Sequence, residues 1–133
     1  MNRLYDAARD GFLNGQIAWL TNDIRGILID TTKYQVSLAG HAYLVDIPAE
    51  ARVSVSPALS GRTAAAGTAN ADPLTFSAGT GTSEALVLYQ HTGTESTARL
   101  IAYIDDSPDF PVNANGGDVV FTWDTAENKI FKL

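Results

Sequence analysis

EALVLYQH at residues 84–91 and ARLIAYID at residues 98–105 decide how this chain folds. The two runs match in length, are rich in branched and aromatic side chains, and are joined by a linker with Gly93 at its centre. That combination predicts an antiparallel hairpin. Upstream, IRGILID (residues 24–30) is almost continuously apolar, which predicts a strand buried on both faces. ARVSVS (residues 51–56) alternates cleanly, and Pro57 halts it or confines it to a sheet edge.

Weaker signals surround this centre. Ile17 and Trp19 alternate with Gln16 and Ala18, predicting a further strand before turn chemistry at Thr21 to Asp23. Residues 31–40 read as a loop, and His41 to Ile47 as one helical turn that Pro48 ends, because the residue before proline avoids helical angles. Arg62 to Gly67 and Pro73 to Ser77 are weaker strand candidates around a small-residue loop, and Asp105 to Gly117 reads as a long polar connection. In the closing stretch, Val119, Phe121 and Trp123 share one face of a strand while Asp118, Thr122 and Asp124 take the other. Ala126 to Asn128 then predict a turn, after which Phe131 and Leu133 share a face opposite Ile130, with Leu133 expected to be packed.

At the other end, Leu4, Ala8 and Phe12 fall at helical spacing, Tyr5 and Leu13 widen the stripe, and Asp6, Arg9 and Asp10 occupy the rest. Asn2 is the expected N-cap and Gly15 the stop. Gly11 lies inside this helix at a cost of about 1 kcal/mol against alanine, so the helix must dock to persist. The whole reads as one domain, residues 1–133: mainly β, a β-sandwich or flattened barrel of about seven to nine short strands with a short N-terminal helix.

Composition narrows the function classes. With no cysteine, disulfides, thiolate metal sites and cysteine nucleophiles are excluded. The net charge of −6 and the scattered single cations argue against direct nucleic-acid binding, which needs clustered positive charge. No apolar run reaches the roughly 18 residues of a membrane span, and the N-terminus lacks the pattern of a signal peptide, so no membrane partner is expected.

Candidate chemistry is sparse. Asp105, Asp106 and Asp109 are the densest acidic group and suit a hard cation, yet their spacing is not that of an EF-hand and Pro108 interrupts it. His41 and His91 are too few for a multi-histidine zinc site and lack an H-E-x-x-H spacing. No serine sits in a G-x-S-x-G elbow. SAGTGTSE (residues 77–84) has the glycines of a phosphate cradle but not its lysine, and it precedes a strand rather than a helix, so it reads as a loop. Trp19, Tyr89, Tyr103, Phe121 and Trp123 alternate with polar residues and belong to a core rather than to a sugar-stacking platform. No catalytic, cofactor-binding or metal-ligating residue is assigned, no cofactor is expected, and a binding or assembly role is favoured.

LYDAARDGFLNGQIAW (4–19), DIRGILIDT (23–31), LVDIPAEARV (44–53), EALVLYQHTG (84–93), LIAYID (100–105), PVNANGGDVVFTWD (111–124) and NKIFKL (128–133) together resemble a family of small tailed-bacteriophage virion proteins. The likeness runs nearly end to end and departs at Ala114, where the family pattern often carries proline. The resemblance implies a non-enzymatic structural component of a virion, assembled in the host cytoplasm. It implies as partners the major capsid protein or other virion subunits, and a homo-oligomer. A capsid decoration protein is the leading expectation; a tail or head–tail junction component, a host-attachment module that binds carbohydrate and, last, a hydrolase are the alternatives.

Overall fold

The computed structural model describes residues 3–77, 79–107, 109–123 and 130–133. The fold is mainly β and sandwich-like, with twelve strands and one short α-helix among the described residues. The hairpin that anchors the sequence reading is β8 (Ala85–Gln90) with β9 (Leu100–Ile104), antiparallel in the register Leu86↔Ile104 to Tyr89↔Leu100. β2 (Ile24–Ile29) pairs along the whole of β8, and β3 (Arg52–Val55) closes that side as an edge strand before Pro57. β1 (Arg3–Leu4) adds to the far edge of β9, giving the five-stranded order β1-β9-β8-β2-β3.

Both faces of this sheet are buried, as the continuous apolar runs require. One face carries Ile24, Leu28, Leu86 and Leu88, and the glycine among them sets how closely the second layer approaches. A methyl group added at Gly26 would lie 2.7 Å from Leu74 Cδ2 and 3.3 Å from Phe76 Cζ. Those two residues belong to β6 (Leu74–Phe76), which pairs with β11 (Val119–Phe121) to cover the sheet. The opposite face carries Ile27, Ile29, Val87 and Tyr103, in one core cluster with Tyr5, Tyr34, Leu44 and Ile47.

Among the described residues three small antiparallel sheets flank this one. β6 pairs with β11, β7 (Thr80–Ser83) with β10 (Val112–Asn115), and β5 (Thr68–Asn70) lies between β4 (Thr63–Ala65) and β12 (Phe131–Lys132). Ala66 and Gly67, both with positive φ, form the two-residue turn that reverses β4 into β5.

Several sequence expectations need correction. The strand count exceeds seven to nine because the additional strands are only two to four residues long, too short for periodicity to register. β7 occupies part of the stretch expected to be a glycine loop, and β10 part of the expected polar connection, because each supplies the other's ladder partner. Ala114 stands on β10, opposite Gly81. Residues 16–19 are not a strand. Asn22 Oδ1 accepts from Ala18 N–H at 2.7 Å, which bends the segment into a turn while Ile17 and Trp19 still bury their side chains.

The helix α1 runs Asp6–Leu13, starting later than expected because Arg3 and Leu4 are used in β1. Asn2 lies outside the described residues, and Tyr5 occupies the cap position without a side-chain bond. Gly15 does turn the chain away, at φ +78°. Leu13 leaves the apolar stripe, and Leu133 is exposed rather than packed, whereas Ile130 and Phe131 are both buried. The expected turn at 126–128 and Asp124 fall outside the described residues.

Candidate functional site

The residues with chemical potential are dispersed. Asp105 is exposed and receives Arg3 at 3.0 Å, while the Asp109 carboxylate accepts from Thr122 N–H at 3.3 Å. Among the described residues no group of three or more histidine, aspartate or glutamate side chains comes together. His41 Nδ1 lies 2.9 Å from the Tyr34 hydroxyl, and the His91 ring packs edge-on near Tyr89, its backbone N–H donating to Asp23 O at 2.7 Å. Among the described residues neither imidazole hydrogen-bonds a serine.

The aromatics form the core, as their alternation predicts. Trp19, Tyr89, Tyr103, Phe121 and Trp123 are all buried. Both indoles also find acceptors inside: Trp19 Nε1 donates to Thr63 O at 3.1 Å and to Asn70 O at 3.3 Å, and Trp123 Nε1 to Asp72 O at 2.8 Å. Trp19 thereby ties the turn after α1 to the β4–β5 hairpin.

The carboxylates with displaced acidity are structural. Two N–H donors, from Ala42 and then Tyr43, hold Asp46 below the usual carboxylate range. Hydrogen bonding from Arg52 does the same for Glu95, and Arg25 for Asp23. Arg52 makes four hydrogen bonds: it forks onto Glu95 at 2.9 and 3.0 Å and donates to Leu44 O and Ile47 O at 3.0 and 2.7 Å. It pins the two short 3₁₀ turns, Leu44–Asp46 and Ala49–Ala51, against the loop that bears Glu95.

The outstanding surface feature lies where the chain's first helix meets its last strand. Phe131 packs 5.8 Å from Phe12 and meets Trp19 edge-on at 5.3 Å, which seats β12 beside α1. Outside that contact, Leu4, Arg9, Phe12, Leu13, Lys132 and Leu133 line a groove of about 410 Å³. Leu13 is 87% exposed and Leu133 62%, so apolar surface faces water from both sides of the groove. Arg9 is engaged by Asp6 at 3.0 Å and Leu4 O at 3.2 Å. Across Leu13 lies a second hollow, lined by Ala7, Asp10, Asn14, Ala42, Tyr43 and Arg99, whose guanidinium sits over the Tyr43 ring.

Sequence periodicity missed this groove because it placed Leu13 and Leu133 inside. The usable signal was the length of the stripe: an eight-residue helix docked through Ala8 and Gly11 leaves position 13 past the buried face. No family profile and no curated protein matches the chain.

Proposed function

We propose that this protein is a non-enzymatic structural component of a tailed-phage virion, a decoration protein that bridges neighbouring capsid subunits. The reading joins the nearly end-to-end resemblance to small virion proteins with one structural observation, the groove between α1 and β12 flanked by exposed Leu13 and Leu133. Burying two leucines on a partner contributes about 1.5–3 kcal/mol each. A contact of that strength is weak singly, but repeated around a shell it resists the outward pressure of packaged DNA. A standard interface of about 1,600 Å² would add the polar rim such a contact needs.

Both tryptophans and Tyr5, Tyr34, Tyr89 and Tyr103 are buried, and the half-buried Tyr43 ring is covered by the Arg99 guanidinium, which favours assembly over carbohydrate attachment, since stacking on a sugar requires an exposed ring. The test is co-sedimentation of the purified protein with phage particles depleted of it. The Leu13→Asp, Leu133→Asp double variant should keep its unfolding midpoint, because both residues are exposed, and lose particle binding. Undiminished binding by the folded variant would refute the groove as the contact. Absence of the protein from mature particles by mass spectrometry would refute the virion role itself, and density at the tail instead of the shell would overturn the decoration assignment.

A further inference from the structure

Three aromatic side chains form a chain of hydrogen bonds from the core to the surface. Tyr5, with 0% exposure, places its hydroxyl 2.9 Å from that of Tyr34, and Tyr34 places the same oxygen 2.9 Å from His41 Nδ1. The direction of this chain follows from burial. The Tyr5 hydroxyl has Tyr34 as its hydrogen-bond partner, so if it only accepted, its own proton would be stranded in the core. An unused buried donor is far more costly than an unused acceptor lone pair. Tyr5 therefore donates to Tyr34, Tyr34 donates to His41, and neutral His41 keeps Nδ1 bare and its proton on Nε2.

This one-way order holds only while the imidazole is neutral. A proton taken from solvent onto Nδ1 turns that nitrogen into a donor. Tyr34 must then accept from His41. Either its own hydroxyl proton is left without an acceptor among the described residues, or it turns toward Tyr5 and strands the Tyr5 proton.

The relay spans a joint of the fold. The loop that carries Tyr34 accepts the first amide of α1, Asp6 N–H to Leu38 O at 2.9 Å, while Tyr5 N–H reaches Ile101 O on β9 at 3.0 Å. We propose that Tyr5, Tyr34 and His41 act as an acid-sensitive latch, in which protonation of His41 weakens the clamp of the 34–41 loop on the start of α1. The other charged and titratable groups about the relay are Tyr103 on β9, Arg3 on β1 and Asp46 in the first 3₁₀ turn. Asp46 attracts the imidazolium and opposes the latch, but it does so equally when the tyrosine hydroxyls are removed, so a comparison of variants isolates the relay.

Two measurements on the full chain test this. Two-bond ¹⁵N–¹H correlation at neutral pH should find His41 as the Nε2–H tautomer, and the Nδ1–H tautomer would overturn the assignment. Amide exchange of Asp6, corrected for its intrinsic pH dependence, should lose protection by about tenfold on acidification in the native chain. The loss should disappear in Tyr5→Phe, Tyr34→Phe, which removes both hydroxyls together and leaves nothing to strand, and in His41→Asn, whose Oδ1 takes the place of Nδ1 and accepts from Tyr34 at every pH. A native chain whose Asp6 protection is independent of pH, or an equal loss in either folded variant, would overturn the latch.

Discussion

Replacing Gly11 by alanine sets two effects of known size against each other. From helix propensity alone the substitution should stabilise the protein by about 1 kcal/mol. The structure reverses that expectation, because Gly11 is buried and its missing side chain is what lets the chain fold back after α1. A methyl group there would sit 2.6 Å from Ile17 Cδ1, 2.7 Å from Ile17 Cγ1 and 3.2 Å from Arg99 Cδ. The Gly11 carbonyl also accepts from Gln16 N–H at 2.8 Å and Ile17 N–H at 3.1 Å, so Ile17 is held in place by the backbone beneath it. Overpacking of this kind costs about 1–3 kcal/mol. After the propensity gain is subtracted, Gly11→Ala should destabilise by up to about 2 kcal/mol, read as a lower urea midpoint with an unchanged slope. In an Ile17→Ala background both clashing carbons are gone and the new methyl partly refills the space. There the same substitution should change sign and stabilise by about 1 kcal/mol or more. A Gly11→Ala protein more stable than the native chain, by an amount unaffected by residue 17, would refute the close-approach account.

Two further outcomes follow from named contacts. Arg52→Lys keeps the charge but cannot span Glu95, Leu44 O and Ile47 O together, so it should destabilise by about 2 kcal/mol in urea titration; a loss below about 0.5 kcal/mol would mean the fork is dispensable. In acid, Asp23, Asp46 and Glu95 have folded acidities below their unfolded values, so their contribution is complete above pH of about 4 and is lost as pH falls through the lower folded values. Asp46→Asn should therefore narrow the difference between urea midpoints measured at pH of about 7 and about 3, and an unaltered difference would count against the Ala42 and Tyr43 amides as the cause.

The centre of the fold was legible because its signals are local. The 85–90 and 100–104 hairpin, the doubly buried strand at 24–29 and the edge strand ending before Pro57 each state their environment in their own side-chain pattern. β5, β7 and β10 were not legible, because three or four residues dominated by threonine, asparagine, alanine and glycine become a strand only when a distant partner offers a ladder: Thr80 pairs with Asn115, far along the chain. The 16–19 turn failed for the opposite reason, since alternation at Ile17 and Trp19 is satisfied equally by a turn that points both inward. The Tyr5, Tyr34 and His41 relay had no sequence signal at all, as its members are brought together by tertiary packing.

The exposure of Leu13 separates what folding requires from what it leaves free. A lone exposed leucine is ordinary and needs no explanation. Here, however, the fold's own demand on α1 is met by buried Ala8 and Gly11 and by Phe12, which packs on Phe131, and any polar residue at position 13 would satisfy the helix. The chain instead sets Leu13 across a groove from Leu133, the residue that follows a strand held by Phe131 against Phe12 and Trp19. Two leucines on opposite sides of one groove lose free energy in water that neither the helix nor the strand recovers. A partner that buries both recovers it, and because α1 and β12 are fixed to each other through Phe131 the pair is already positioned, so binding incurs little ordering entropy. The sharpest measurement of this coupling is Phe131→Ala: it leaves Leu13 and Leu133 intact but removes the contact that aligns them, so under the proposed particle contact it should weaken binding even where urea titration shows the remaining fold intact, and binding equal to the native chain's would refute the coupling.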